Sequence, residues 1–373
     1  MKHRMVFSLL CGILIALPGM AFAADTTLGM ELWSRWTMSS GISAADSSSS
    51  VIKNNSLALE RGYLDLKTKF SEQTSARFTV DMFSTDAHKD GAGLKLKYAF
   101  MDFGDIIPIP DAKLSVGLQK VYFGTIYDWD YTLIGKAPSD EYKLANSADY
   151  GISVNGYLPS GFGEYALGVY NGEGYKNFGS NLKDNTNMEF LANLRLTPIT
   201  GLTLGGSFMT NSVEREKALA TDLPVSGYQT QILIDALARV AYGPAVFTVE
   251  YLSKDVEYPN VNDGSKDYTA SGISIIPVLN LRHYIEHDVQ LVGRYDRWDE
   301  TDNASNKHLL QAITGGINYN LMHNDSYSPA LQLQLNATHK SYDADESAAS
   351  YDHKLKDSLT VMAQLKWRFS SKL

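Results

Sequence analysis

A stretch such as ALQLQLNATHK (Ala330–Lys340) leaves a chain few ways to fold. Leu331, Leu333, Leu335 and Ala337 alternate strictly with Gln332, Gln334, Asn336 and Thr338, and a period of two builds a strand with one oily and one wet face. The pattern returns along the whole chain. Segments of this kind are Leu28–Met38, Leu59–Phe70, Ala76–Thr85, Leu94–Phe103, Lys113–Tyr122, Asp149–Leu158, Glu164–Tyr170 and Met188–Thr197. The second half continues with Leu202–Thr210, Gln231–Tyr242, Ala245–Lys254, Tyr268–Ile276, Val289–Trp298, Leu309–Leu321, Ala330–Lys340 and Ser358–Phe369. About sixteen segments, most of roughly nine to thirteen residues, have the length of tilted membrane strands. None sustains a helical period, and no break in composition marks a second domain.

The connections have their own rhythm. A long polar loop, Ser39–Ser56, follows the first segment, and a tight turn, Ser71–Gln73, follows the second. Short links then recur at Gly104–Asp111, Pro159–Gly161, Pro198–Gly201, Gly243–Pro244 and His323–Tyr327, all rich in turn formers. Between them fall Phe123–Ala148, Asn171–Asn185, Asn211–Thr230, Asp255–Asp267, Asp299–His308 and Ser341–Lys356, with Asp86–Gly93 a short member of this long set. In an antiparallel meander, alternate connections lie at opposite ends. The expected fold is therefore all-β: a transmembrane antiparallel β-barrel of about 16 strands with short periplasmic turns and long extracellular loops. A soluble sandwich or propeller also uses many short strands, but does not sort loop length by end.

On this basis Leu331, Leu333 and Leu335 face lipid, and Gln332, Gln334 and Asn336 face a watery lumen. The aromatics Trp36, Tyr98, Phe100, Tyr242, Tyr319, Trp367 and Phe369 are expected in the interfacial girdles. After Phe369 the chain continues with Ser370–Leu373, as a tail or as an extension of the last strand.

The first residues are a targeting segment. Lys2 and Arg4 precede an apolar run, Met5–Leu17, and Ala21-Phe22-Ala23 forms a small-x-small cleavage site, so residues 1–23 are a signal peptide and the barrel domain is 24–373. Losing Lys2 and Arg4 takes the formal charge from −9 to −11, which argues against nucleic-acid binding. The only cysteine, Cys11, lies within the leader, too early and beside too bulky a residue, Leu10, for a lipoprotein signal. Export to the outer membrane of a Gram-negative bacterium is expected, with membrane lipid and lipopolysaccharide around the wall. The terminal Ser371-Lys372-Leu373 spells a peroxisomal address, which the export signal makes a coincidence.

Strand parity also assigns the lumen. Inward cations are Arg35, Arg61, Lys67, Lys69, Arg77, Lys95, Lys97, Arg195, Arg239, Lys254, Arg294, Lys340, Lys366 and Arg368. Inward acids are Glu31, Asp65, Asp81, Glu164, Glu189, Asp235, Glu250 and Asp296. A surplus of roughly six positive charges favours anions, because low-dielectric walls focus the field on the pathway. Pairing of these cations with inward acids, as Arg61 with Asp65, is the alternative role. A bulge of one residue also reverses parity beyond it. Phe123–Ala148 is the longest loop and rich in aromatics; folded inward it forms a constriction, with Tyr127, Trp129, Lys136 and Lys143 as its candidate lining. Its acids Asp128, Asp130, Asp140 and Glu141 would oppose simple anion selectivity.

Six stretches carry a family resemblance: RGYLDLK (Arg61–Lys67), LKLKYAFMDF (Leu94–Phe103), LSVGLQKVYFG (Leu114–Gly124), YALGVYNGEGY (Tyr165–Tyr175), NLRLTP (Asn193–Pro198) and RYDRWD (Arg294–Asp299). With these the chain resembles the phosphate-selective porin O and P family. The resemblance implies homotrimers of 16-stranded outer-membrane porins, a pore in each subunit and inward basic residues guiding anions such as phosphate. The chain departs from the family pattern at Val121-Tyr122, where members often carry a proline.

Other motifs lead elsewhere. HYIEH (His283–His287) has the letters of an inverted zinc peptidase but lies at a strand end or turn rather than on the helix that chemistry needs. DNASNK (Asp302–Lys307) lacks the spaced ligands of a calcium loop. His339 and Ser341 near the lipid boundary leave open a barrel-anchored hydrolase, and the loops leave open a non-conducting structural or adhesion barrel. The expectation drawn from the whole is a passive porin for small hydrophilic solutes with an anion preference, not an enzyme, without metal or cofactor.

Overall fold

The computed structural model describes residues 24–42, 50–85, 91–176, 188–215, 227–257, 267–302, 308–324, 329–344 and 357–373. Residues 1–23, expected to be a signal peptide, lie outside them, as do parts of seven long loops and part of the link 324–328. Sixteen strands close into one antiparallel barrel. They are β1 (Asp25–Ile42), β2 (Ser50–Lys69), β3 (Thr74–Ser84), β4 (Ala92–Gly104), β5 (Ala112–Lys120), β6 (Ala148–Leu158), β7 (Gly163–Tyr170) and β8 (Glu189–Ile199). The circuit continues through β9 (Leu202–Arg215), β10 (Gly227–Tyr242), β11 (Ala245–Glu257), β12 (Tyr268–Asn280), β13 (Val289–Asp299), β14 (His308–His323), β15 (Pro329–Ala344) and β16 (Ser358–Lys372). Each strand pairs with its sequence neighbours, and β1 pairs with β16 from Thr27↔Lys372 to Gly41↔Ser358. No helix among the described residues is long and apolar enough to cross a membrane.

The residues that seed the strands also set the faces. Along β15, Gln332, Gln334 and Asn336 are buried, whereas Leu333 is 36% and Leu335 48% exposed. The same inversion holds at Phe247 and Tyr251 on β11 and at Ile313 and Ile317 on β14, which are large, apolar and exposed. Oil outside and amide inside is the pattern of a barrel solvated by lipid. Trp36, Tyr242, Tyr319, Trp367 and Phe369 lie on this outer face.

Two bulges redirect side chains that straight parity misplaces. Pairing jumps from Trp33↔Arg61 to Ser34↔Leu59, so Glu60 is an extra residue, and its carboxylate meets Arg35 at 3.1 Å. Between β3 and β4 the register slips from Thr79↔Tyr98 to Val80↔Leu96, which makes Lys97 the extra residue. Past it, Tyr98 and Phe100 pair with the inward Thr79 and Arg77, so these two aromatics belong to the lumen and not to the girdle. Asp102 turns inward with them and accepts from Ser115 Oγ at 2.5 Å and Lys113 Nζ at 3.3 Å.

Several boundaries differ from the sequence pattern. β1 and β2 run through most of Ser39–Ser56, because the polar Ser and Asn of that stretch still pair, as Ser39↔Asn54 shows. Ser370–Lys372 extend β16 against β1, and the Leu373 amide donates to Thr26 O at 2.9 Å. The link after β2 is an ST-turn, in which Ser71 Oγ accepts from the amides of Gln73 and Thr74 at 3.2 and 3.0 Å. HYIEH lies in the link from β12 to β13 and begins on the last residue of a single 3-10 turn, Leu281–His283.

Face assignment is testable by charge. Leu335→Arg places a cation in the lipid and is expected to cost about 2–4 kcal/mol in denaturant titrations of vesicle-inserted protein. Thr338→Arg, on the inner face, is expected to cost under about 1 kcal/mol; equal costs would contradict the faces.

Candidate functional site

The loop between β5 and β6, residues 121–147, lies inside the barrel. Its start is fixed by Gly124, whose φ is +51° and where a Cβ would stand 2.3 Å from Glu250 Oε1. The Gly124 amide donates to Ser207 Oγ at 2.9 Å, and Thr125 donates to Glu250 through its amide at 3.1 Å and its hydroxyl at 2.7 Å. Arg195 then takes Asp128 at 2.7 Å, with its guanidinium 4.3 Å from the centre of the Tyr127 ring.

Further along, wall side chains donate to loop carbonyls. Lys366 Nζ reaches Asp130 O at 2.6 Å, Gln334 Nε2 reaches Tyr131 O at 2.9 Å and Asn318 Nδ2 reaches Thr132 O at 2.7 Å. Arg294 Nη1 donates to Lys136 O at 2.6 Å. A four-residue helix, α1 (Pro138–Glu141), starts on a proline, whose missing N–H suits a first turn, and ends before Lys143 at φ +58°. It aims Glu141 at Lys340, 3.0 Å away, and Tyr142 stacks on Trp298 at 4.7 Å between centroids.

Apolar packing completes the seat. Leu191, Met209, Leu233, Leu252, Trp298 and Leu310 form a belt on the inner face of β8–β14 and bury Phe123, Ile126, Ala137, Leu144 and Ala145 of the loop. Burying one such side chain is worth about 1.5–3 kcal/mol. The loop therefore covers the β8–β12 side of the lumen and leaves space beside β1–β4 at the short-turn end and beside β13–β16, β1 and β2 at the long-loop end.

Two cavities occupy that space. The larger, about 660 Å³, lies toward the short-turn end and is lined by Glu31, Asp65, Lys67, Arg77, Lys97, Lys120 and Arg368, together with Trp33, Tyr63, Tyr98, Tyr127, Trp129 and Tyr131. The smaller, about 300 Å³, lies toward the long-loop end, among Arg35, Glu60, Arg61, Lys136, Glu141, Arg294, Asp296 and Lys340. Trp33 and Tyr131 line both, their ring centroids 4.5 Å apart. This pair forms the partition. Arg61 stands 5.4 Å from each of the two rings, and Lys366 Nζ is 5.3 Å from Trp33.

Of the cations expected on the pore wall, Arg35, Arg61, Lys67, Arg77, Lys97, Arg294, Lys340 and Arg368 line these cavities. Arg195 and Lys366 instead hold the loop, because the loop covers the wall in front of them. Lys95, beneath the Phe83 ring, and Arg239, donating to Thr248 Oγ1, line neither cavity. In the loop, Tyr127, Trp129 and Lys136 line a cavity, whereas Lys143, exposed just past the short helix, lines neither. Sequence parity missed Lys120, the last residue of β5, and Glu60, Trp33, Tyr63 and Tyr98. Trp33 shares the parity of Glu31 and Arg35, which was signal enough to find it.

Most of the lining cations are neutralised. Asp65 takes Arg77 at 2.8 Å and Lys67 at 3.3 Å, Glu31 takes Arg368 at 2.6 Å, and Asp296 takes Arg294 at 2.8 Å. Asp235 and Glu250, although inward, line neither cavity. In the loop, burial raises the hydroxyl pKa values of Tyr127, Tyr131 and Tyr142 and keeps them as donors. Burial also pushes the Glu141 carboxyl up, but Lys340 outweighs it and leaves Glu141 below its ordinary value. Among the described residues, no group of His, Cys, Asp and Glu is arranged to hold a metal.

A closed 16-stranded barrel, lipid-facing outside and carrying a folded-in loop, defines the class: an outer-membrane β-barrel of the porin fold. Residues 288–367 match the model of the phosphate-selective porin O and P family, the family that the six sequence stretches resemble. No curated protein matches the chain. Among solved structures, outer-membrane-expressed OmpT of Vibrio cholerae is similar with a TM-score of 0.63 at 11% identity, over 92% of this chain and 98% of that one. The anion-selective porin of Comamonas acidovorans gives 0.61 at 12% identity, over 93% and 100%. The outer membrane channel DcaP of Acinetobacter baumannii gives 0.60 at 12% identity, over 93% and 97%. At these identities the likeness is one of fold.

The Glu141–Lys340 contact makes the seating of the loop pH-dependent. A carboxyl whose value is lowered in the folded state stabilises that state above the ordinary carboxylate range and loses the contribution as pH falls through the folded value. Protease cutting within 121–147 is therefore expected to rise on acidification below about pH 4.5. Glu141→Gln is expected to remove much of that rise; an unchanged pH profile in the variant would assign the response elsewhere.

Proposed function

We propose that the protein is a passive outer-membrane porin for small hydrophilic solutes, with a preference for anions, and not an enzyme. The observation that carries this is the charge left facing the space beside the loop. The larger cavity presents five cations against two carboxylates, and the smaller presents five against three. The loop seats on the wall that carries Asp235 and Glu250, so these acids do not face the path. Fixed cations along a narrow low-dielectric path raise the local anion concentration. Arg35, Arg61, Lys67, Arg77, Lys97, Arg294 and Arg368 line the path, with Tyr127, Trp129 and Lys136 as the loop's share of the constriction.

The similarity to an anion-selective porin and the family match over 288–367 agree with the preference, and phosphate is one candidate anion. A homotrimer embedded in lipid and lipopolysaccharide fits the trimer form of a similar structure, OmpT of Vibrio cholerae. Export through a cleaved leader, 1–23, completes the proposal.

Planar-bilayer recordings under a potassium chloride gradient test it. Steady steps with a reversal potential favouring chloride are expected. The pair Lys67→Gln and Arg77→Gln leaves three cations against two carboxylates in the larger cavity and should move the reversal potential toward zero. Potassium-favouring steps, or a potential unmoved by the pair, would contradict the preference.

A further inference from the structure

We propose that the larger cavity is a binding site for a small aromatic carboxylate, with its carboxylate at Lys97 and Lys120 and its ring against the aromatic side of the cavity. The proposal rests on the anion-preferring channel and names the class of anion. Lys67, Arg77 and Arg368 are already spent on Asp65 and Glu31. Among the described residues, neither Lys97 nor Lys120 has a carboxylate within 4 Å. Lys97 Nζ donates to the neutral Ser147 hydroxyl and lies 3.9 Å from the Tyr175 ring centre. An ammonium carries three donors, so this one retains capacity for an oxyanion. The Lys120 ammonium has no hydrogen-bond partner among the described residues.

Aromatic side chains form one side of the lining. Tyr98 comes from β4, and Tyr127, Trp129 and Tyr131 come from the loop. Trp129 meets Tyr131 edge to face at 6.3 Å, and Tyr131 meets Trp33 in the same manner at 4.5 Å. The Tyr131 carbonyl is fixed to Gln334 and the Trp129 indole to Gly135 O. Rings held this way offer faces and edges at little entropic cost, and a planar ligand ring extends the array by the same quadrupole geometry. A compact inorganic anion would be recognised by convergent arginine forks, and the arginines here are engaged. Two ammonium groups without a carboxylate partner beside a rigid aromatic surface instead match a molecule with one planar apolar end and one anionic end. A volume of about 660 Å³ accommodates a single-ring acid.

Trp33 and Trp129 border the cavity, so tryptophan fluorescence of the folded, detergent-solubilised protein reports occupancy without requiring current. Titration with benzoate, cyclohexanecarboxylate and inorganic phosphate is the test. Benzoate is expected to saturate about fivefold more tightly than its non-aromatic counterpart. The double variant Lys97→Gln and Lys120→Gln should weaken benzoate by at least about tenfold. Equal binding of the three, tighter phosphate or no saturation would overturn the site. Where the double variant fails to fold, the ranking of the three ligands on the unaltered protein decides. Chloride-favouring channels without benzoate preference would overturn this proposal and leave the channel; potassium-favouring channels that still prefer benzoate would do the reverse.

Discussion

Hydrocarbon offers no hydrogen bonds, and everything else in this molecule follows from that. Each unpaired backbone group in the bilayer costs several kcal/mol, so a sheet can cross only when its two edges meet. Here they meet between β1 and β16, down to the Leu373 amide on Thr26 O. Closure turns the oily face of each strand outward and gathers the polar face into a lumen. The lumen is then the only part of the wall free to be specific, because the outer face must match lipid.

The lumen is narrowed by the chain's own loop, and the wall is built asymmetrically to receive it. An apolar belt on β8–β14, unnecessary for an empty water-filled barrel, seats Phe123, Ile126, Leu144 and Ala145. Polar donors complete the attachment by addressing the loop's carbonyls at Asp130, Tyr131, Thr132 and Lys136, which no loop buried in a barrel can leave unpaired. The passage runs beside β1–β4 at the short-turn end and beside β13–β16, β1 and β2 at the long-loop end, with basic residues along both stretches. Charge and aromatic character along the path are thus consequences of which half of the wall the loop occupies.

The barrel was legible because its signal is a period repeated sixteen times, as in Leu331–Thr338, and because loop length alternates by end. What a single strand's alternation cannot register is one extra residue. Glu60 and Lys97 each add one, and the second sends Tyr98, Phe100 and Asp102 from the expected lipid side into the lumen. Nor does parity see the loop. Arg195 and Lys366 are inward as their strands dictate, yet tertiary packing converts them from lining into anchors. The inward leucines at 191, 233 and 252 carried the missing information, since an apolar residue on the wet face implies a partner inside.

The most direct test of the central idea, that 121–147 borders the conducting path, is chemical modification of an open channel. Cys11 is the only cysteine in the sequence, so Lys136→Cys combined with Cys11→Ser leaves one thiol, on the wall of the smaller cavity. A methanethiosulfonate reagent added during single-channel recording is expected to produce a lasting stepwise fall in current. Complete labelling, verified by mass, with current unchanged would place the loop away from the path and contradict the account.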